Sequence, residues 1–323
     1  MSLEACINIQ PKVIKMLMNS YKKNRLSHAY LFEGEKGTKK KEIALEFAKL
    51  LYCEETGNVC DRCINCLRIE HNNHPNVLII EPENNTIKKE QVLYLQQEYS
   101  KTNLEPGPKI YIIVNIDKMS NNAANSILKF IEEPQEETYT ILITDNIHQI
   151  LPTIISRCQV INFQPIPKKE IINYLIQHKI DPYIASICAH LTNDLEEALI
   201  IASDDNINHV IDLVKTIGQA ILTKKENLIV IAENSQIDLS KNKKSLEYFL
   251  DILLMYMRDI KNVDNDNDNV IFIHELDFMK NHINRLTSDK IIYNINEILK
   301  SKISLEYNAN TVLLIDHLLI NLM

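Results

Sequence analysis

Apolar residues come in short, nearly unbroken runs through the first half of the chain, and at helical spacing through the second. The runs are AYLFEG (29–34), NVLIIEP (76–82), KIYIIV (109–114), TYTILIT (138–144) and CQVINF (158–163). They are rich in Ile, Val, Leu and Tyr and lack polar alternation, as expected of strands buried on both faces of a parallel sheet. Between them, residues 40–52, 88–100, 120–132 and 146–155 carry apolar positions at helical spacing. Strands alternating with helices predict an α/β domain. After FQPIPKKE the runs stop, and from about residue 167 onward the pattern is helical; only NVIFIH (269–274) reads either way. Pro165, Pro167 and the polar break ASDDNINH (202–209) mark boundaries. They predict an α/β domain over 1–165, a small helical domain over 166–204 and a larger helical domain over 205–323. NVDNDNDN (262–269) reads as a solvated interhelix loop, since it lacks the glycine and closing glutamate of a calcium loop.

The turn after the first run brings in chemistry. EGEKGTKKKE (33–42) lies between a strand and a helix, where a phosphate-binding loop belongs, and it nearly fits G-x-x-x-x-G-K-[ST]. Gly34, Gly37 and Lys40 remain of that pattern. Lys39 stands where the second glycine would be, and Lys41 where a hydroxyl would ligate Mg²⁺. The paired acids of an ATPase should end a later strand. In KIYIIVNIDKMS those positions are Val114 and Asn115, and Asp117 falls beyond the strand end. Losing one preorganised catalytic group costs about 10²–10³ in rate, and several are missing here. The loop therefore reads as vestigial, with no ATP bound and no intrinsic catalysis; the alternative is an ordinary lysine-rich helix start.

Cys53, Cys60, Cys63 and Cys66 form a C-x₆-C-x₂-C-x₂-C cluster. Four thiolates with no open position predict a closed, structural Zn²⁺ site, with an iron–sulfur cluster as competitor. His71 and His74 are possible substitutes but fit a polar turn better. Cys6, Cys158 and Cys188 are isolated and read as small buried hydrophobes. Seven cysteines without a basic-then-apolar leader, and no apolar run near the roughly 18 residues of a membrane span, predict a reduced, cytoplasmic protein with no membrane partner.

Charge narrows the partners. A net charge of −8 argues against a protein whose main task is holding duplex DNA, although residues 1–50 carry ten Lys/Arg against five Asp/Glu. ILPTIISRCQVINF sets Arg157 between a helix end and a strand, as a surface ion-pair partner or as an arginine supplied in trans to a neighbour's phosphate. Ser156 has no partnered histidine and is not read as a nucleophile. In NNAANSILKFIEEP, Ser120 precedes the helix as its cap, and Ala124, Ile127, Leu128 and Ile131 share one face. Lys129, Glu132 and Glu133 fall opposite, as a solvated face or a contact for a neighbour.

LSHAYLFEGEKGTKKKEIALEFAKLLYC, the cysteine cluster, NHPNV, KIYIIVNIDKMSNNAANSILKFIEEP and TIISRCQVINFQP together resemble one family, over about residues 8–165. It is the delta-prime family of bacterial DNA polymerase III clamp loaders, relatives of AAA+ ATPases. The resemblance implies an AAA+ (P-loop NTPase-like) α/β domain, a helical lid and an all-α collar within a hetero-pentamer of motor and delta subunits. It implies a non-hydrolysing stator that helps load a sliding clamp onto primer–template DNA. Arg157 would be the trans arginine finger, and Cys53, Cys60, Cys63 and Cys66 the zinc ligands. Thr144 matches a polar sensor position, or is simply a polar strand end. Glu196, in NDLEEAL (193–199), occupies the slot of a nucleotide-sensing arginine. Any DNA contact would go to backbone phosphates. The rivals are an ATP-hydrolysing, gamma/tau-like motor subunit and a free-standing zinc-dependent nucleic-acid-binding module.

Overall fold

All five apolar runs become strands of one parallel sheet. The computed structural model describes residues 3–55, 57–84, 86–100, 105–134, 137–224, 227–234, 239, 241–264 and 270–323. Its first half opens with helices α1 (Leu3–Ile9) and α2 (Pro11–Lys22), which lead into β1 (Ala29–Glu33). There follow α3 (Lys40–Tyr52), α4 (Ile64–Glu70), β2 (Val77–Ile80), α5 (Lys89–Ser100), β3 (Lys109–Ile113), α6 (Asn121–Glu132), β4 (Thr138–Thr144), α7 (Pro152–Ile155) and β5 (Gln159–Asn162). The strand order is β2-β3-β4-β1-β5. β1 therefore lies between two strands, with Ala29 opposite Thr140 on one side and Tyr30 opposite Gln159 on the other.

Alternation along β1 splits the core between the two faces of the sheet. Tyr30 and Phe32 point to one face, with Ile43 and Phe47 of α3; the Tyr30 and Phe47 rings meet edge to face at 5.6 Å. Leu31 points to the other, with Ile127 and Ile131 of α6 and Ile154 of α7. Both faces are covered by helices, so the strands are apolar on both sides and the sequence shows runs instead of alternation.

The helix expected over 146–155 is broken in two. Asn146 caps a short 3-10 turn over Ile147–Gln149, accepting from the His148 N–H at 3.1 Å. Leu151 is extended (ψ 131°) because it precedes Pro152, and α7 starts afresh with the proline at its first position. The α6 face is as expected: Ala124, Ile127 and Ile131 are buried, and Leu128 packs partly buried beside them. The Lys129 side chain lies outside the described residues.

The chain divides into two compact units, Met1–Pro167 and Lys168–Met323. In the second, α8 (Lys168–Gln177), α9 (Pro182–Cys188) and α10 (Leu195–Ala202) precede α11 (Asp205–Thr223), α12 (Leu228–Glu233) and α13 (Lys243–Asp264). The unit ends with α14 (Leu276–His282), α15 (Ser288–Glu306) and α16 (Thr311–Leu322). Gly218 of α11 lets α13 approach closely: a Cβ there would sit 2.1 Å from a Tyr256 ring carbon. NVIFIH forms no strand among the described residues. A 3-10 turn spans Ile273–Glu275, and the Ile271 and Phe272 N–H groups each donate to Asp259 Oδ2 at 2.8 Å. Residues 262–264, expected in a loop, continue α13, and 265–269 lie outside the described residues.

Candidate functional site

In an open parallel sheet, ligands bind outside the carboxyl ends of the strands. Here those ends belong to β1, β3 and β4, and the loop 34–39 follows directly from the first of them. Gly34 leaves β1 so close to β5 that a Cβ would meet the Phe163 carbonyl oxygen at 2.6 Å. Gly37 holds a positive φ of 87°, which glycine adopts without cost. Lys39, at the second glycine's position, is also left-handed (φ 62°), with its side chain buried and its ammonium 3.0 Å from Glu42 Oε1. The backbone there keeps the form a glycine would take, at a strain of about 1 kcal/mol.

Lys40 is the informative residue. Its ammonium donates to the carbonyls of Gly34 (2.6 Å) and Glu35 (2.7 Å) and to Thr38 Oγ1 (3.2 Å). It also pairs with Asp145 Oδ1 at 2.9 Å. An ammonium has three hydrogens, and four acceptors already surround this one. Asn115, in the slot of a catalytic acid, donates from Nδ2 to the other Asp145 oxygen at 2.8 Å. Asp117 lies past the end of β3, as expected, and accepts from Thr144 Oγ1 at 2.8 Å and from the Asp145 N–H at 3.3 Å. Lys41 pairs with Glu81, at the end of β2. The structure thus joins Lys40, Asn115, Asp117 and Thr144 into one network centred on Asp145. Sequence reasoning passed over Asp145, although an acid directly after a buried strand was the available signal.

Gln10 was also missed. It is buried, donates to the Gln164 carbonyl at 2.6 Å and accepts from the Gln164 N–H at 3.3 Å, tying the start of α2 to the segment after β5.

Arg157 stands apart from this network, in the loop between α7 and β5. Its Nε lies 2.8 Å from Glu132 Oε1 and its Nη1 donates to the Thr153 carbonyl at 3.0 Å. The side chain is 39% exposed. Glu132, grouped with the solvated face of α6, is therefore the partner that holds it.

The four cysteines converge. Cys53 ends α3, Cys60 lies in the following loop, Cys63 caps α4 and Cys66 is inside it; their Sγ atoms all lie within 4.8 Å of one another. The Cys60 N–H donates to Cys53 Sγ at 3.3 Å, Cys63 N–H to Cys60 Sγ at 3.3 Å and Cys66 N–H to Cys63 Sγ at 3.5 Å. Such N–H···S bonds favour thiolate. Bonds from the Arg62 and Cys63 amides lower the Cys60 thiol to about 7, whereas burial pushes Cys66 up. This cluster could hold a metal ion. Neither histidine joins it: His71 is exposed at the end of α4, and His74 is buried, its ring tilted 49° against Tyr52 with centroids 4.2 Å apart, and its Nδ1 accepts from the Asn76 N–H. Cys6 and Cys188 are fully buried, as expected of isolated thiols, while Cys158 is only half-buried.

A buried lysine ties this knuckle to α3. Lys49 is 2% exposed, and its ammonium lies 2.8 Å from both Glu46 Oε1 and Asp61 Oδ1 and pairs with Glu70 of α4. Burial works against its charge, but the hydrogen bonds to Asp61, Glu46 and Glu70 outweigh it and hold the ammonium protonated.

A parallel sheet whose first strand runs through a glycine turn into a helix, with a lysine at the helix start, defines an α/β domain of phosphate-loop type. The sequence profile described as "DNA polymerase III, delta subunit" matches residues 9–167. The DNA polymerase III subunit delta' of Bacillus subtilis (strain 168) is 39% identical over 97% of this chain and 96% of its own. The chain belongs to the DNA polymerase III subunit delta' family. The subunit tau of the same organism is 29% identical over 73% of this chain but only 42% of its own. A gamma subunit-related protein of Thermotoga maritima covers 95% of this chain and 97% of its own at 18% identity and a TM-score of 0.44. No helix among the described residues is long and apolar enough to cross a membrane.

Proposed function

We propose that this chain is the stator of a clamp loader: a subunit that keeps the frame of an ATPase, hydrolyses no ATP itself and serves the motor subunits beside it. One observation carries the reading. Lys40, which in a working loop meets the β- and γ-phosphates, is saturated by Asp145 and by carbonyls of its own loop. A nucleotide would have to displace an ion pair before gaining a contact, and Lys41 offers no ligand for its magnesium. The full-length match to delta' supports the same assignment against the motor alternative, for which the tau match covers less than half of tau.

In this reading Arg157 is the working group. An arginine directed at a neighbour's γ-phosphate stabilises charge in the transition state and is worth 10³–10⁵ in rate. Its Glu132 partner is exposed, and such pairs contribute about 0–1 kcal/mol. A phosphate can therefore replace it at little cost. The chain beyond the α/β domain would supply a lid (166–204) and a collar (205–323) that joins a pentamer of motor and delta subunits. The complex would act in the cytoplasm on a sliding clamp and primed DNA.

The cysteine knuckle would hold structural Zn²⁺. A tetrahedral ion with Zn–S near 2.3 Å sets its sulfurs about 3.8 Å apart, within the observed clustering. The N–H···S bonds would offset the excess charge of four thiolates. The ion's chemistry would be that of a crosslink, fixing the end of α3 to the start of α4.

Reconstitution of the complex with Arg157→Ala tests the proposal. The variant should fold and assemble while ATP turnover falls at least tenfold; unchanged turnover removes the finger assignment. Micromolar ATP binding by the lone chain would restore the motor reading.

A further inference from the structure

Each chain segment that supplies a cysteine to the knuckle also supplies a charged group to one buried centre beside it. α3 carries Glu46 and Lys49 and ends at Cys53, four residues after the lysine. The loop carries Asp61 directly after Cys60. α4 carries Glu70 four residues after Cys66, which sets the two on one helix face. The three carboxylates meet at the Lys49 ammonium, with Glu46 Oε1 and Asp61 Oδ1 each at 2.8 Å and Glu70 Oε2 as the third. Three acceptors match the three hydrogens of an ammonium.

Asp61 joins this centre to the thiols. Its carboxylate holds Lys49, while its backbone N–H donates to Cys66 Sγ. The backbone there is left-handed, with φ 53°, in the turn between Cys60 and Cys63. Stability alone does not account for a lysine in this place. Apolar side chains of similar volume often replace a buried ion pair with no loss, because desolvating the charges offsets their attraction. What an apolar side chain could not do is fix the direction of three segments at once.

We propose that Lys49 and Asp61 are positioning residues of the metal site. Lys49 gathers α3, the loop and α4 through their carboxylates, and Asp61 passes that constraint to Cys66, so the four thiols face one another before an ion enters. Ligands that are already oriented need less ordering on binding, which raises affinity. Outer partners of metal ligands typically contribute 10–100-fold in this way. Asn65 Nδ2 also donates to the Tyr52 carbonyl at 3.1 Å, a second tie between α3 and α4. Losing Lys49 should therefore loosen the aim of the ligands while the two helices stay together. The inference rests on the reading of the knuckle as a metal site and adds which residues outside the cysteines set its affinity.

The test is competition for Zn²⁺ between the full chain and a chromogenic chelator, with Co²⁺ absorption spectra as a second readout. Asp61→Asn keeps the size and the tolerance of positive φ, and removes only the charge that holds Lys49. It should weaken Zn²⁺ binding about tenfold. Lys49→Met with Glu46→Leu removes the buried pair as a unit. Asp61 and Glu70 are 40% and 44% exposed, so water can solvate them in that variant. It should keep most of the parent's stability yet bind Zn²⁺ about 10–100-fold more weakly. Both variants should keep the Co²⁺ bands of four thiolates, because every ligand remains. Parent-like Zn²⁺ affinity in these variants assigns Lys49 to the fold alone and overturns the proposal. Should the double variant not fold, Asp61→Asn, at its half-exposed position, decides the matter by itself. A parent chain that takes up neither Zn²⁺ nor Co²⁺ overturns the metal reading and this proposal with it, so the two failures are distinguishable.

Discussion

The Lys40 ammonium lies 2.9 Å from Asp145 Oδ1, so the lysine of the phosphate loop is bound across the sheet to the residue that follows β4. Removing the carboxylate leaves a 5%-exposed cation with only neutral acceptors. Asp145→Ala should therefore destabilise the protein by about 1–3 kcal/mol, the range for losing a charged hydrogen-bond partner. Denaturant unfolding of the two proteins measures it. A loss under about 0.5 kcal/mol would mean that Asp145 is no clamp. The variant should still bind no ATP, because Lys39 and Lys41 remain.

Lys49 gives a larger effect. It faces Glu46, Asp61 and Glu70, and Glu46 is itself 2% exposed, with Oε2 lacking a hydrogen-bond partner. Lys49→Met keeps most of the volume but strands a buried carboxylate, so a loss of about 3–5 kcal/mol is expected. Lys49→Met with Glu46→Leu should recover much of that loss, because it removes both members of the buried pair. Thermal or denaturant unfolding of the single and double variants decides between the outcomes.

These two residues mark where the sequence stopped being readable. The strands, the loop and the cysteine spacing are local patterns, and all of them lie where periodicity and spacing put them. Lys40 and Cys53 were legible because a motif names them. Asp145, Gln10 and Lys49 were not, since their roles depend on partners brought together by the sheet order β2-β3-β4-β1-β5 and the packing around it, which no local pattern contains. Nothing local singles out Lys49 within its helix; Asp61 and Glu70, which hold it, come from the knuckle. The segment 146–155 misled for the opposite reason: its apolar spacing fits a helix, but Pro152 forces Leu151 out of helical geometry.

Stability should respond to pH through Asp259. Burial raises its carboxyl to about 6, although the Phe272 and Ile271 amides oppose the shift. The folded pKa lies above the ordinary unfolded value near 3.9, so the folded state binds the proton more tightly. This contribution is fully present below about pH 4 and is lost as pH rises through about 6. Asp259→Asn keeps an oxygen acceptor and removes the charge. The variant should match the parent near pH 4 and exceed it by about 2–3 kcal/mol at pH 8. Urea unfolding at the two pH values measures the difference, and a pH-independent difference would count against this account.

Metal removal should act locally first. Purified without chelator, the chain should carry one Zn²⁺. Cys66→Ser, at the buried ligand, should lose it and free the three remaining thiols to titrate. The knuckle should then become protease-sensitive between Cys53 and Cys66 while the sheet retains its circular dichroism. Bound iron with visible absorbance would identify a different centre.

Glu132 and Arg157 supply the last test, because they separate a latch from a structural pair. The two side chains are 46% and 39% exposed, so their ion pair contributes at most about 1 kcal/mol to folding. Glu132→Gln should leave unfolding almost unchanged. If the guanidinium works on a neighbour's phosphate, loosening its resting partner should also leave turnover of the assembled complex unchanged or raise it by up to a few fold. Arg157→Lys should lower turnover despite keeping the charge, since an ammonium lacks the planar fork that grips a phosphate through two bonds. A purely structural pair predicts a different pattern: Glu132→Gln and Arg157→Lys would then shift stability together and leave ATP turnover untouched.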